Sequence, residues 1–241
     1  MTKERIHLLC MLLCAAAFVS FDVRAQADSS ETSVDVHGMI QFPKLRPHEH
    51  APPAVLWLKP LPGTASRPFL PSGRYTLLQK NRMFTPHLLI VPVGSEVHFP
   101  NADPFFHNVF SLFNGKRFDL GLYESGTDKE ILFSREGASY IFCNIHPEMS
   151  AVVLVLSTPF YSNARSDGNL SIRGVPIGDY EMHVWIEGLP QPELDRLTRR
   201  VQISSRGGDL GTVDASRTPF NPPTHLNKFG QPYDRDSKPT Y

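Results

Sequence analysis

Cysteine is nearly absent: the chain of 241 residues has three, and Cys10 and Cys14 both fall within its first 27. That opening stretch has the order of an export signal, with basic Lys3 and Arg5, an apolar run from Leu8 to Val19, and small residues at Ala25-Gln26-Ala27. Cleavage is expected after Ala27, with Ala25 as the alternative. A long hydrophobic run is also missing. The segment from Leu8 to Val19 is shorter than the roughly 20 residues a helix needs to span a bilayer, and no later stretch is comparably apolar. This length disfavours an uncleaved anchor helix. Leu12-Leu13-Cys14 also lacks the small residue usually found before a lipidated cysteine. The mature chain is therefore expected to have no membrane span and to be periplasmic or secreted. Cys143 is then its only thiol, so no internal disulfide can form. An unpaired thiol in an oxidising compartment needs a reason, and metal ligation is one.

Charge of either sign is not in excess. The whole chain balances 24 basic against 24 acidic residues, and the leader holds Lys3, Arg5 and Arg24 against Glu4 and Asp22, leaving 21 against 22. That balance leaves no basic footprint for nucleic acid. Helical periodicity is scarce as well. Short alternating or apolar runs recur between turn signals, and the 22 prolines and 16 glycines favour an all-β architecture. Strands are expected at about 33–40, 54–59, 74–80, 87–92, 95–99, 107–112, 130–133, 139–143, 151–157, 160–164, 169–173, 179–187 and 199–204, with a helical turn at 190–197. In the strand from Asp179 to Glu187, Tyr180, Met182, Val184 and Ile186 share one face. Pro43 to Pro53 reads as irregular, and the proline-rich, polar tail 215–241 as extended and loosely ordered.

What is present is a concentration of soft ligands. In Tyr140-Ile141-Phe142-Cys143-Asn144-Ile145-His146-Pro147-Glu148-Met149, a strand runs into a tight loop that offers a thiolate, an imidazole and a thioether, and the valine-rich strand 151–157 follows. A thiolate, two imidazoles and a weak axial thioether form the ligand set of copper electron-transfer sites. The second imidazole is best supplied by His107, at the end of the turn Asn101-Ala102-Asp103-Pro104-Phe105-Phe106 and ahead of the strand Asn108-Val109-Phe110. Zinc fits less well, because its structural sites take four cysteine or histidine ligands. A thiol nucleophile with His146 or His107 as its base would leave Met149 without a role. His87, His98 and His183 read as surface or packed residues, and His48 and His50 as part of a solvated loop.

Cys-x-x-His-x-x-Met between an aromatic and a valine-rich strand, with His-Asn-Val upstream, resembles the cupredoxins, and the short spacing with Pro147 is closest to amicyanin. The resemblance covers about residues 73–157, including the opening strands from Phe84 to Asn101. It implies a Greek-key β-sandwich holding one type 1 copper ion, with His107 and His146 as equatorial imidazoles, Cys143 as the thiolate and Met149 as the axial ligand. Asn108 is implied as an outer partner of the cysteine sulfur and the ligand loop. His146 is implied as the electron port, its exposed edge set in a patch for which Phe105, Phe106 and Pro147 are candidates.

A second resemblance lies in Ser166-Asp167-Gly168-Asn169-Leu170-Ser171-Ile172-Arg173-Gly174-Val175-Pro176-Ile177-Gly178-Asp179-Tyr180, which is similar to the carboxypeptidase-regulatory, transthyretin-like β-sandwich. The opening strands of that fold correspond to Val34–Ile40 and Ala54–Leu58. Residues 32–62 and 158–214 are thus expected to form a second, small sandwich into which the cupredoxin is inserted. No catalytic carboxylate pair or nucleophile stands out in it, so a docking or scaffolding role is expected. Together these readings point to an exported one-electron carrier serving redox partner proteins and not to an enzyme. Copper binding or delivery without redox traffic is the alternative, and a structural β protein that has lost its metal a third reading.

Overall fold

Ala151-Val152-Val153-Leu154-Val155-Leu156 has no polar face, which half-buried strands normally show. The architecture explains why. A computed structural model describes residues 33–42, 50–112, 116–217 and 225–233 of the chain. The export signal expected at 1–27, most of the irregular stretch after Pro43 including His48, and parts of the tail lie outside the described residues.

The elements in chain order begin with β1 (Ser33–Gln41), β2 (Ala54–Pro60), β3 (Tyr75–Thr76), β4 (Leu78–Lys80), β5 (Met83–Thr85) and β6 (Leu88–Pro92). They continue with β7 (Ser95–His98), β8 (His107–Ser111), β9 (Phe118–Tyr123), β10 (Glu130–Phe133), β11 (Gly137–Cys143) and β12 (Ser150–Leu156). The last are β13 (Tyr161–Asn163), β14 (Asn169–Pro176), β15 (Gly178–Ile186), α1 (Gln191–Leu197), β16 (Arg199–Ile203) and β17 (Gly208–Asp214). The chain is nearly all-β, as its composition implied. Expected and observed strands differ at four places: β5, β9 and β17 have no expected counterpart, and the run 74–80 breaks at Leu77 into β3 and β4.

A five-stranded sheet in the order β6-β12-β11-β8-β9 is central to the inner module, which a three-stranded sheet β10-β7-β3 and the hairpin β4-β5 complete. Two outer sheets, β14-β1-β17 and β13-β2-β15-β16, draw only on strands before residue 61 and after residue 160. Val55, for instance, is paired with Asn163 on one side and Trp185 on the other.

β12 belongs to two cores at once. Val152, Leu154 and Leu156 join the apolar cluster of the outer sheets, with Val55, Leu58, Tyr180, Met182 and Trp185. Ala151, Val153 and Val155 join a second cluster with Val97, Phe99, Val109, Ile141, Cys143 and Met149. Successive side chains point to opposite faces, so a strand buried on both sides must be apolar throughout. β15 shows the same effect. Tyr180, Met182, Val184 and Ile186 are buried as its alternation implied, and Trp185 on the other face is also buried and donates its indole N–H to the Tyr140 hydroxyl at 3.3 Å. His183 is correspondingly not a free surface residue but stacks on Trp57, with ring centroids 5.2 Å apart.

Candidate metal centre

Cys143 ends β11 and pairs with Val109 of β8. Alternation sends Ile141 and Cys143 into the inner core and leaves Phe142 on the opposite face, against Phe110 and His225. The loop from β11 to β12 is then closed by its own backbone. The Cys143 N–H donates to the Met149 carbonyl at 3.2 Å, and the Met149 N–H to that of His146 at 3.0 Å. The Asn144 N–H donates to the Asn108 carbonyl at 2.9 Å, tying the loop to β8.

This framework gathers the expected side chains. The Cys143 Sγ lies 3.6 Å from Nδ1 of His107 and 3.6 Å from Nδ1 of His146. The ligand atoms of these three residues all lie within 4.8 Å of one another. Met149 is fully buried in the same core as Cys143. Two donors held about 2.0–2.3 Å from one ion stand roughly 3.4–3.8 Å apart, so the observed separations fit a single first-row metal.

Burial sets the electrostatics. It holds the His107 imidazole below its ordinary pKa, although Asp103 pulls the other way. His146 is pushed down to about 4, first by burial and then by the charges of His107 and Arg82. Both rings are therefore neutral near pH 7 and can offer a lone pair. Burial raises the Cys143 thiol, partly offset by the backbone N–H groups of Asn108, Ile145 and His146. A metal arriving here must displace the thiol proton.

Asn108 acts on the loop through its main chain. Its side-chain amide instead donates to Asp119 Oδ1 at 2.5 Å. His146, expected to show one edge, is 4% exposed. Phe105 packs beside both imidazoles, with its ring centroid 5.3 Å from that of His107 and 5.6 Å from that of His146, and with the Arg82 guanidinium 5.3 Å above it. Of the expected patch, Phe106 and Pro147 are exposed and Phe105 is half-buried.

Two features escaped sequence reasoning. Asp103 Oδ2 lies 2.9 Å from Nε2 of His107 in a buried pair, and an acid four residues before a candidate ligand is a signal that could have been read. The second is the tail. Residues 225–233 do not fit the expectation of a loosely ordered segment, because they lie across the ligand loop. The Tyr233 hydroxyl donates to the Cys143 carbonyl at 2.9 Å, the Lys228 N–H to Asn144 Oδ1 at 2.9 Å, and His225 Nε2 to the Pro147 carbonyl at 2.7 Å. The His225 ring stacks on Phe142 at 3.9 Å.

Among the described residues, His50, His87 and His98 are not part of this group of ligand atoms. His87 bridges Glu187 and the Ser150 carbonyl at 2.7 and 3.1 Å, and His98 bonds Asp128 at 3.0 Å beside Glu96 and Glu130. His50 is exposed. No helix among the described residues is long and apolar enough to cross a membrane.

No protein-family profile matches the chain, and no curated protein does. Among solved structures, part of the chain is similar to a copper-containing nitrite reductase (NirK) from Thermus scotoductus SA-01, at 26% identity and a TM-score of 0.34 over 36% of this chain and 23% of that one. The chain thus spans about a quarter of that reductase. It is also similar to a purple cupredoxin from Nitrosopumilus maritimus, at 26% identity and a TM-score of 0.31 over 34% of this chain and 99% of that one. A variant of amicyanin in its reduced state is similar at 21% identity and a TM-score of 0.33, over 38% of this chain and 94% of that one. The purple cupredoxin and the amicyanin variant are each matched over nearly their whole length.

Proposed function

We propose that this protein is an exported type 1 copper protein that carries single electrons between protein partners, with His107, Cys143, His146 and Met149 as the metal ligands. One observation carries the reading: a lone buried thiol equidistant, at 3.6 Å, from the Nδ1 atoms of two buried imidazoles. A bound copper ion would supply a one-electron couple whose two oxidation states this soft donor set serves with little rearrangement. The chain's own part is to fix the donors before the metal arrives and to keep water away. β8 and β11 do the first through main-chain pairing, and Phe105 does the second over both imidazoles.

Burial supports electron transfer over copper delivery. Handing an ion to another protein requires ligand exchange at an accessible site, whereas His107 and Cys143 have no exposed surface and His146 almost none. The outer sheets form, in this reading, the second sandwich made of residues 32–62 and 158–214, and the copper module is an insertion within it. Insertions are tolerated where the interrupted ends meet at a surface.

Addition of Cu(II) to the purified protein, followed by a visible spectrum, tests the assignment. An intense thiolate-to-copper charge-transfer band that is abolished by Cys143→Ser is expected, together with reversible one-electron electrochemistry. A protein that stays colourless with Cu(II) and takes up only Cu(I) would instead indicate delivery.

A further inference from the structure

Asp103 occupies an unusually well-built position. Its side chain is 5% exposed, and a buried carboxylate is costly unless its oxygens are satisfied. Here they are. Oδ1 accepts the Asn81 N–H at 2.6 Å, and Oδ2 accepts both the Arg82 N–H at 3.0 Å and Nε2 of His107 at 2.9 Å. The residue's own N–H donates to Asn101 Oδ1 at 3.0 Å, which fixes its backbone.

The two amides come from a strained turn. Asn81 and Arg82, between β4 and β5, have φ of 57° and 56° and are the non-glycine residues with positive φ among those described. Asparagine tolerates the left-handed region, but arginine adopts it only at a steric cost. The turn aims two successive N–H groups at one carboxylate, and the Arg82 side chain lies over Phe105, the ring that caps both imidazoles. Hairpin, carboxylate and imidazole thus form one connected device behind His107.

We infer that Asp103 is the positioning residue of the copper site, holding His107 as the tautomer protonated on Nε2 and setting the balance between the two copper oxidation states. The inference rests on the copper reading above. With Nε2–H donated to the carboxylate, the Nδ1 lone pair faces Cys143 Sγ, where a metal would bind. A carboxylate behind a ligating imidazole increases its basicity. The buried negative charge also favours the more highly charged, oxidised ion, so Asp103 lowers the reduction potential.

Asp103→Asn tests this, because asparagine keeps the shape and one acceptor oxygen but loses the charge. Loss of such an outer partner costs on the order of 10–100-fold in metal affinity. If the lower figure falls on Cu(II) alone, the potential rises by about 59 mV, the equivalent of tenfold for one electron. The charge-transfer band should persist. A variant that keeps the band and has the wild-type potential would overturn the inference. The second measurement needs neither copper nor a variant. In the metal-free wild-type protein, nitrogen-15 NMR should show His107 protonated on Nε2, and protonation on Nδ1 would overturn it equally. A wild-type protein that gives no band with Cu(II) would sink the copper reading instead, while the NMR result would still report on the positioning.

Discussion

Leu154→Ala on β12 tests whether one strand serves two cores. Leu154 is 1% exposed and packs into the cluster of the outer sheets, while its neighbour Val153, fully buried, packs into the cluster that contains Cys143 and Met149. Truncating a buried leucine to alanine costs about 2–5 kcal/mol, the spread reflecting how far the site collapses. For a chain of this size each kcal/mol lowers Tm by about 2–4 °C, which gives a fall of roughly 4–20 °C. Val153→Ala removes two methyl groups at about 0.8 kcal/mol each plus a cavity contribution, or about 2 kcal/mol. The two cores carry separate natural reporters. Both tryptophans, Trp57 and Trp185, lie in the sheet β13-β2-β15-β16, and in protein lacking residues 1–27 the only thiol is Cys143 of the inner core. Urea unfolding of the metal-free protein, followed by tryptophan fluorescence and by Cys143 thiol labelling, should give coincident transitions in the wild type and both variants, because neither core can lose β12 and survive. Leu154→Ala should leave the copper spectrum unchanged, whereas Val153→Ala should perturb it. Fluorescence and labelling midpoints that separate, or a Leu154→Ala cost below about 1 kcal/mol, would refute the shared wall.

Gly208 of β17 abuts β1 so closely that an added Cβ would lie 2.1 Å from Val36 Cγ1. Gly208→Ala should therefore destabilise by about 1–3 kcal/mol, and Val36→Ala should relieve part of that loss, as a double-mutant cycle in urea would show. His87 has both ring nitrogens at acceptors, Glu187 and the Ser150 carbonyl, which requires the imidazolium, and the Glu187 hydrogen bond raises its pKa against the opposing effect of burial. Because the folded pKa lies above 6.5, the stabilisation is full below pH 6.5 and is lost as pH rises through the folded value. The Tm difference between wild type and His87→Gln should accordingly be largest near pH 6 and vanish in alkali, and a difference that grew with pH would contradict the pairing. Tyr233→Phe removes the hydroxyl that donates to the Cys143 carbonyl. It should cost about 0.5–1.5 kcal/mol and speed labelling of the Cys143 thiol in the metal-free protein. An unchanged labelling rate would show that the tail does not protect the loop.

What could be read from the sequence was local. Cys143, His146 and Met149 fall within one loop, and His107 was picked out by the turn before it, so donor chemistry alone brought them together. Asp103 was passed over because its importance depends on two amides from Asn81 and Arg82, about twenty residues away, and on a turn conformation that no pattern of apolar residues reveals. The contact of Phe105 with both imidazoles also depends on how the turn before His107 folds, which the sequence does not display. β17 holds Gly208 and Gly211, residues that weaken a strand pattern, whereas in the fold Gly208 is what lets two backbones approach. The role of the tail was illegible for a plainer reason. Its composition is that of an unstructured segment, and its partners lie far upstream in the chain.

That distance has a consequence for the order in which the molecule is made. Tyr233 follows Cys143 by 90 residues. A growing chain therefore presents the Cys143 thiol, with strands β8, β11 and β12 already synthesised around it, well before its cover exists. For that interval the loop is open from the side that Tyr233 and His225 later occupy. The C-terminus thus acts as a closing stitch, and a chain cut short before residue 225 would carry all four candidate ligands and still lack the finished site.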